Sequence, residues 1–106
     1  MSMDMNKMMQ QVQRMQTEMA KAQEELANER VEASVGGGMV KVTATGAGEI
    51  VTVEISPEAI DPDDPDTLQD LVVAGVNQAL RNAQDLAQSK LGGTVGGLKG
   101  LGLPGL

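Results

Sequence analysis

The sequence predicts an α+β protein in the order α-β-β-β-α, with one small domain over residues 1–91 and a flexible Gly/Leu-rich tail over residues 92–106. Three observations carry that reading. Apolar residues alternate at 3,4 spacing through the opening segment, three glycine-punctuated β-rich runs follow, and a second helical pattern succeeds a proline-rich connector.

The first helix, about residues 2–29, is drawn by Met5, Met8, Val12, Met15, Met19, Ala22 and Leu26, with no glycine or proline among them. That spacing is a coiled-coil seam held through three heptads. Ser2 is placed to cap the start, Asp4 lies near the positive end of the dipole, and Asn28 with β-branched Val31 marks the end. At 1.5 Å per residue, roughly 25 residues reach about 37 Å, further than a domain of this size covers alone. The methionines therefore read as a plastic apolar stripe that belongs to the core or to self-association.

Residues 31–35, 39–45 and 49–55 form three β-rich runs parted by Gly36-Gly37-Gly38 and Gly46-Ala47-Gly48, which predicts a three-stranded antiparallel meander. Alternation puts Val40, Val42 and Ala44 on one face, and Val51, Val53 and Ile55 on one face of the next strand. Lys41, Thr43, Thr52 and Glu54 fall opposite, so one side is core and the other wet. The triple glycine joins two strands and has no Gly-Lys-Ser/Thr after it, so it is a turn and not a phosphate cradle.

Pro57, Pro62 and Pro65 alternate with Asp61, Asp63, Asp64 and Asp66 in an acidic connector. It lacks the turn glycine and distal glutamate of a calcium loop, so no metal site is expected there. Asp64 reads instead as the N-cap and Pro65 as the first residue of a second helix, about residues 65–90. Leu68, Val72, Val76, Leu80, Ala83 and Leu86 are its candidate buried positions. Gly75, Ala79 and Ala83 make a small-residue strip that lets either the sheet or a second subunit pack close. The tail has too many glycines for a helix or strand.

Composition then bounds the chemistry. The chain has no Cys, His, Trp, Tyr or Phe, which removes thiolate and imidazole metal sites, histidine bases, disulfides and aromatic stacking platforms. Ser2, Ser34, Ser56 and Ser89 lack an evident activator, so no catalysis, cofactor or small-molecule substrate is expected. No secretory signal or membrane-spanning run is read, and a cytoplasmic location is expected. A core built without aromatics in so short a chain argues for a partner subunit.

The formal charge is −7, but it is unevenly placed. Residues 61–85 carry −5, from Asp61, Asp63, Asp64, Asp66, Asp70 and Asp85 against Arg81, whereas the two ends are basic. Lys7, Arg14 and Lys21 recur every seven residues and so form a row about 10 Å apart on the first helix, away from the seam. Glu18, Glu24 and Glu25 weaken the positive field toward the helix end.

Taken in order, these segments resemble the YbaB/EbfC family of small bacterial nucleoid-associated DNA-binding proteins. The resemblance is carried by Met15-Gln16 and Glu24-Glu25-Leu26, then Gly36-Gly37-Gly38-Met39-Val40-Lys41-Val42 and Gly46-Ala47-Gly48-Glu49. It continues through Ser56-Pro57-Glu58, Asp70-Leu71-Val72-Val73-Ala74, Val76-Asn77-Gln78-Ala79-Leu80 and Gly102-Leu103-Pro104-Gly105-Leu106. It implies a homodimer whose long helices project like tweezers around double-stranded DNA in the nucleoid, without enzyme activity. It further implies DNA contacts from the helices, at Lys7, Arg14 and Lys21 and then at Arg81 and Lys90. The competing reading is a protein-interaction or chaperone-like module that holds an apolar peptide on the methionine stripe or the leucine-bearing tail.

Overall fold

A computed structural model describes residues 2–94 of the chain. Helix α1 (Ser2–Asn28) leads into strands β1 (Arg30–Val35), β2 (Val40–Thr45) and β3 (Ile50–Ile55), and helix α2 (Pro65–Thr94) closes the order. The expected α-β-β-β-α architecture is therefore the one found.

The strands form one antiparallel sheet in the order β1-β2-β3. Val31 faces Ala44 and Val35 faces Val40 across β1–β2, while Val40 faces Ile55 and Val42 faces Val53 across β2–β3. Because paired residues share a face, valines and alanines from all three strands line one side. The β1–β2 turn needs its glycines: Gly36, Gly37 and Gly38 hold φ of 63°, 67° and 93°, which side chains with a Cβ disfavour.

Helix α2 lies along the apolar side, over β1 and β2. Val40, Val42 and Ala44 have no exposed surface, and Ala79 joins them in the core with Ala33. The small-residue strip faces the sheet: a Cβ on Gly75 would stand 2.9 Å from Val42 Cγ2, so only glycine lets the helix settle this low. Leu68, Leu71, Val72 and Val76 pack around that contact half-buried. The start of α2 is capped as expected. Asp64 Oδ1 accepts the Thr67 backbone N–H at 3.3 Å and Oδ2 accepts the Thr67 hydroxyl at 2.6 Å, with Pro65 as the first helical residue.

Two expectations are corrected. The face of β3 bearing Val51, Val53 and Ile55 was expected in the core, yet these side chains are 37–45% exposed. Alternation assigns a face, and α2 is wide enough to cover only the β1–β2 half of it. Helix α2 also continues through Gly92 to Thr94, past the expected end near residue 90. Glycine costs a helix only about 1 kcal/mol relative to alanine, which weakens a final turn without forbidding it. Residues 95–106, on which the rest of the expected flexible tail falls, lie outside the described residues, as does the Ser2 side chain with its expected capping role.

Helix α1 does not pack along this body. The chain has a longest dimension of 74 Å and a radius of gyration of 20.2 Å, against about 13 Å for a compact chain of this length. Only the C-terminal end of α1 is rooted, at Ala22 and Leu26.

Candidate nucleic-acid interface

The root of the arm is a meeting of three elements. Leu26 is 3% exposed and sits beside Gly46, in the β2–β3 turn, and Leu86 of α2; a Cβ on Gly46 would lie 2.9 Å from the Leu26 carbonyl oxygen and 3.2 Å from Leu86 Cδ2. The Gly46 backbone N–H donates to the Glu29 carbonyl at 3.1 Å. Lys90, near the end of α2, donates to Glu29 Oε1 at 2.7 Å and lies 3.3 Å from Glu25 Oε2. The hydrogen bond that Lys90 donates to Glu29, joined by Glu25, pushes the Lys90 pKa up from the ordinary lysine value, outweighing the opposing effect of desolvation. Lys90 thus ties the two helices together.

Beyond this root α1 is a free helix. The seam divides within one element: Ala22 and Leu26 are buried and Met19 is half-buried, whereas Met5, Met8, Val12 and Met15 are 50–68% exposed. Met9, one position beyond the expected seam, is exposed beside Met5, Met8 and Val12 and widens the stripe. Sequence reasoning passed over it because it breaks the strict 3,4 spacing.

Lys7, Arg14 and Lys21 are exposed on α1, and none makes an ion pair among the described residues. With the seam at heptad positions a and d, all three cations occupy position c on the outer face. Between Met5 and Thr17 the only charges are Lys7 and Arg14, set among Gln10, Gln11, Gln13 and Gln16, and the acids resume at Glu18. Thr17 is turned back on its own helix, its hydroxyl donating to the Gln13 carbonyl at 3.0 Å. The distal arm is therefore a cationic, amide-rich helix held away from an acidic body.

The α2 candidates are placed differently. Arg81 donates to Gln78 Oε1 at 3.1 Å, Gln78 donates to Asn82, and Asn82 donates to the Glu32 carbonyl of β1 at 3.0 Å. This chain of amides holds α2 to the first strand. Arg81 and Lys90 are thus both engaged within the protomer, and neither extends the row on α1. Nothing in local sequence pointed to the Lys90–Glu29 pair, whose members stand 61 positions apart. Among the described residues no group of three or more carboxylates is arranged to hold a metal ion, and no helix is long and apolar enough to cross a membrane.

The structure is that of a small two-layer α+β protein from which one helix protrudes, with Lys7, Arg14 and Lys21 exposed along it. The family model of the YbaB/EbfC DNA-binding family matches residues 1–98. A nucleoid-associated protein of Pelotomaculum thermopropionicum is 52% identical over 103 residues, covering 97% of this chain and 95% of that protein. One from Streptomyces avermitilis is 53% identical, with 97% and 91% covered. The chain belongs to the YbaB/EbfC DNA-binding family. Its fold is also similar to that of an uncharacterised protein of Helicobacter pylori, with a TM-score of 0.69 at 21% identity over 77% of this chain and 86% of that one.

Proposed function

We propose that the protein is a non-enzymatic, nucleoid-associated protein that binds duplex DNA as a cytoplasmic homodimer, through phosphate contacts from its projecting helices and with little readout of bases. One observation carries the reading: Lys7, Arg14 and Lys21 stand unpaired among the described residues on an exposed helix that leaves the acidic body behind. Two such arms in a dimer form the tweezers that the family resemblance implies. Cations in a row along one face meet phosphates without needing the aromatic side chains this chain lacks.

The acidic body limits the affinity. A dimer carries twice −7, a formal −14, so the body must face away from the duplex and the attraction must act within a Debye length of about 10 Å. Fluorescence anisotropy with a labelled duplex in dilute buffer tests the reading. The wild-type chain is expected to bind and a Lys7→Ala, Arg14→Ala, Lys21→Ala variant to bind much more weakly; equal affinities would remove α1 from the mechanism.

A second reading has its own observation in the open methionine stripe. A groove lined by Met5, Met8, Met9 and Val12 suits an apolar peptide segment. Replacing Met8 and Met15 by glutamine separates the two, since peptide capture would be lost while DNA affinity, which depends on the outer face, would persist.

A further inference from the structure

The distal part of α1 carries more methionine than its seam uses. Seven of the chain's eight methionines fall within residues 1–19. A 3,4 seam takes Met5, Met8 and then Val12, and it has no place for Met9. Yet Met5, Met8 and Met9 line one groove together, and they are 68%, 63% and 60% exposed. Core packing within the protomer therefore explains none of the three, and leucine would serve a helix seam as well.

Their spacing brings the sulfurs within reach of one point. Positions i, i+3 and i+4 lie within an arc of about 100° on the helix, with Cβ atoms about 5–6 Å apart. Each side chain is unbranched and flexible and carries a thioether sulfur near its end. Three sulfurs can thus converge above the first turns of α1 with no change of backbone.

The donor set selects the ligand. Thioethers are soft and uncharged, so they favour cuprous ion over magnesium and calcium, which take oxygen donors, and over zinc, which suits imidazole and thiolate. The chain has no Cys or His to compete for such an ion. The local charge is permissive as well. Asp4, the only acid before Glu18, stands one turn from Met8, while Lys7 lies about 150° around the helix from the middle of the methionine arc. Position 12 is valine, which has no donor, so the run stops there and leaves Met15 and Met19 as a separate pair.

We propose that Met5, Met8 and Met9 form a three-thioether site for a soft monovalent cation of the cuprous class, one ion per chain, on the distal arm. The site is separate from the row of Lys7, Arg14 and Lys21 and needs neither DNA nor a second subunit. It uses the sulfur of methionine and not its apolar surface. Leucine therefore keeps the apolar stripe and the helix but removes the site.

The test uses the full chain with its methionine methyl groups labelled with carbon-13, titrated with silver nitrate in chloride-free buffer and followed by NMR. Silver ion is the air-stable probe of the same soft, monovalent chemistry. The methyls of Met5, Met8 and Met9 are expected to shift together and to saturate at one ion per chain, with Met15, Met19 and Met39 unmoved. Single Met5→Leu, Met8→Leu and Met9→Leu variants, checked for fold by circular dichroism, are expected to bind silver about ten-fold more weakly or worse, since loss of even an outer partner of a metal site costs that much. Met15→Leu is expected to match wild type. Cuprous ion added under nitrogen is expected to displace the silver one for one, and zinc or magnesium to move no methyl. No shift with silver in excess, equal shifts at Met15 and Met19, or undiminished binding by the leucine variants would each overturn the site. Silver that resists an excess of cuprous ion would overturn the cuprous assignment.

Discussion

The Lys90 ammonium donates to Glu29 Oε1 at 2.7 Å, joining the last turns of α2 to the point where α1 leaves the body. One side chain thereby couples the arm to the sheet-covering helix. The contact is partly exposed, so its effect is on arm order more than on global stability. Lys90→Met is expected to speed amide exchange over residues 19–28 while leaving the exchange of β2 nearly unchanged.

The same contact sets a pH dependence. Glu29 and Glu25 raise the folded-state pKa of Lys90 above its unfolded value, so the contribution is fully present below the ordinary lysine pKa and is lost as pH climbs through the raised one. The melting difference between wild type and Lys90→Met is expected to stay flat from about pH 6 to 9 and to shrink above about pH 10.4. Thermal melts across that range measure it.

Gly46→Ala tests the root of the arm. The added methyl would stand 2.9 Å from the Leu26 carbonyl oxygen and 2.9 Å from Leu26 Cδ2; backbone on one side leaves little room to yield. Overpacking of this kind costs about 1–3 kcal/mol, which urea unfolding would resolve. Gly92→Ala, where nothing lies within 4 Å of the new Cβ, is expected to be neutral or slightly stabilising by helix propensity.

Asp64→Ala removes both acceptors that hold Thr67. Loss of an N-cap costs about 1 kcal/mol, and Asp64→Asn is expected to recover most of it because the amide oxygen still accepts the backbone N–H. A matching pair of urea curves decides this.

Much of this molecule was legible in its sequence, for identifiable reasons. Asp64-Pro65 announced a helix start because a capping carboxylate and a fixed φ have few other uses together. Gly75, Ala79 and Ala83 announced close packing, and the structure settles that the sheet takes that face. What the pattern hid was lateral extent. Alternation along β3 states that Val51, Val53 and Ile55 share a face but not whether a helix is broad enough to cover them. The 3,4 spacing of α1 likewise runs unbroken from Met5 to Leu26, although only its end is buried within the protomer. The cationic row at Lys7, Arg14 and Lys21 was visible as a heptad repeat. The engagement of Lys90 was not, since its partners come from the far end of the chain.

The salt dependence of duplex binding tests the central claim most directly. Three cations on each of two arms would neutralise about six phosphates, giving a slope of log affinity against log salt near −5. The account predicts that slope for the wild-type chain and a collapse toward zero for the Lys7, Arg14, Lys21 triple-alanine variant, with Arg81→Ala unchanged from wild type. A wild-type slope that survives the triple substitution would contradict it.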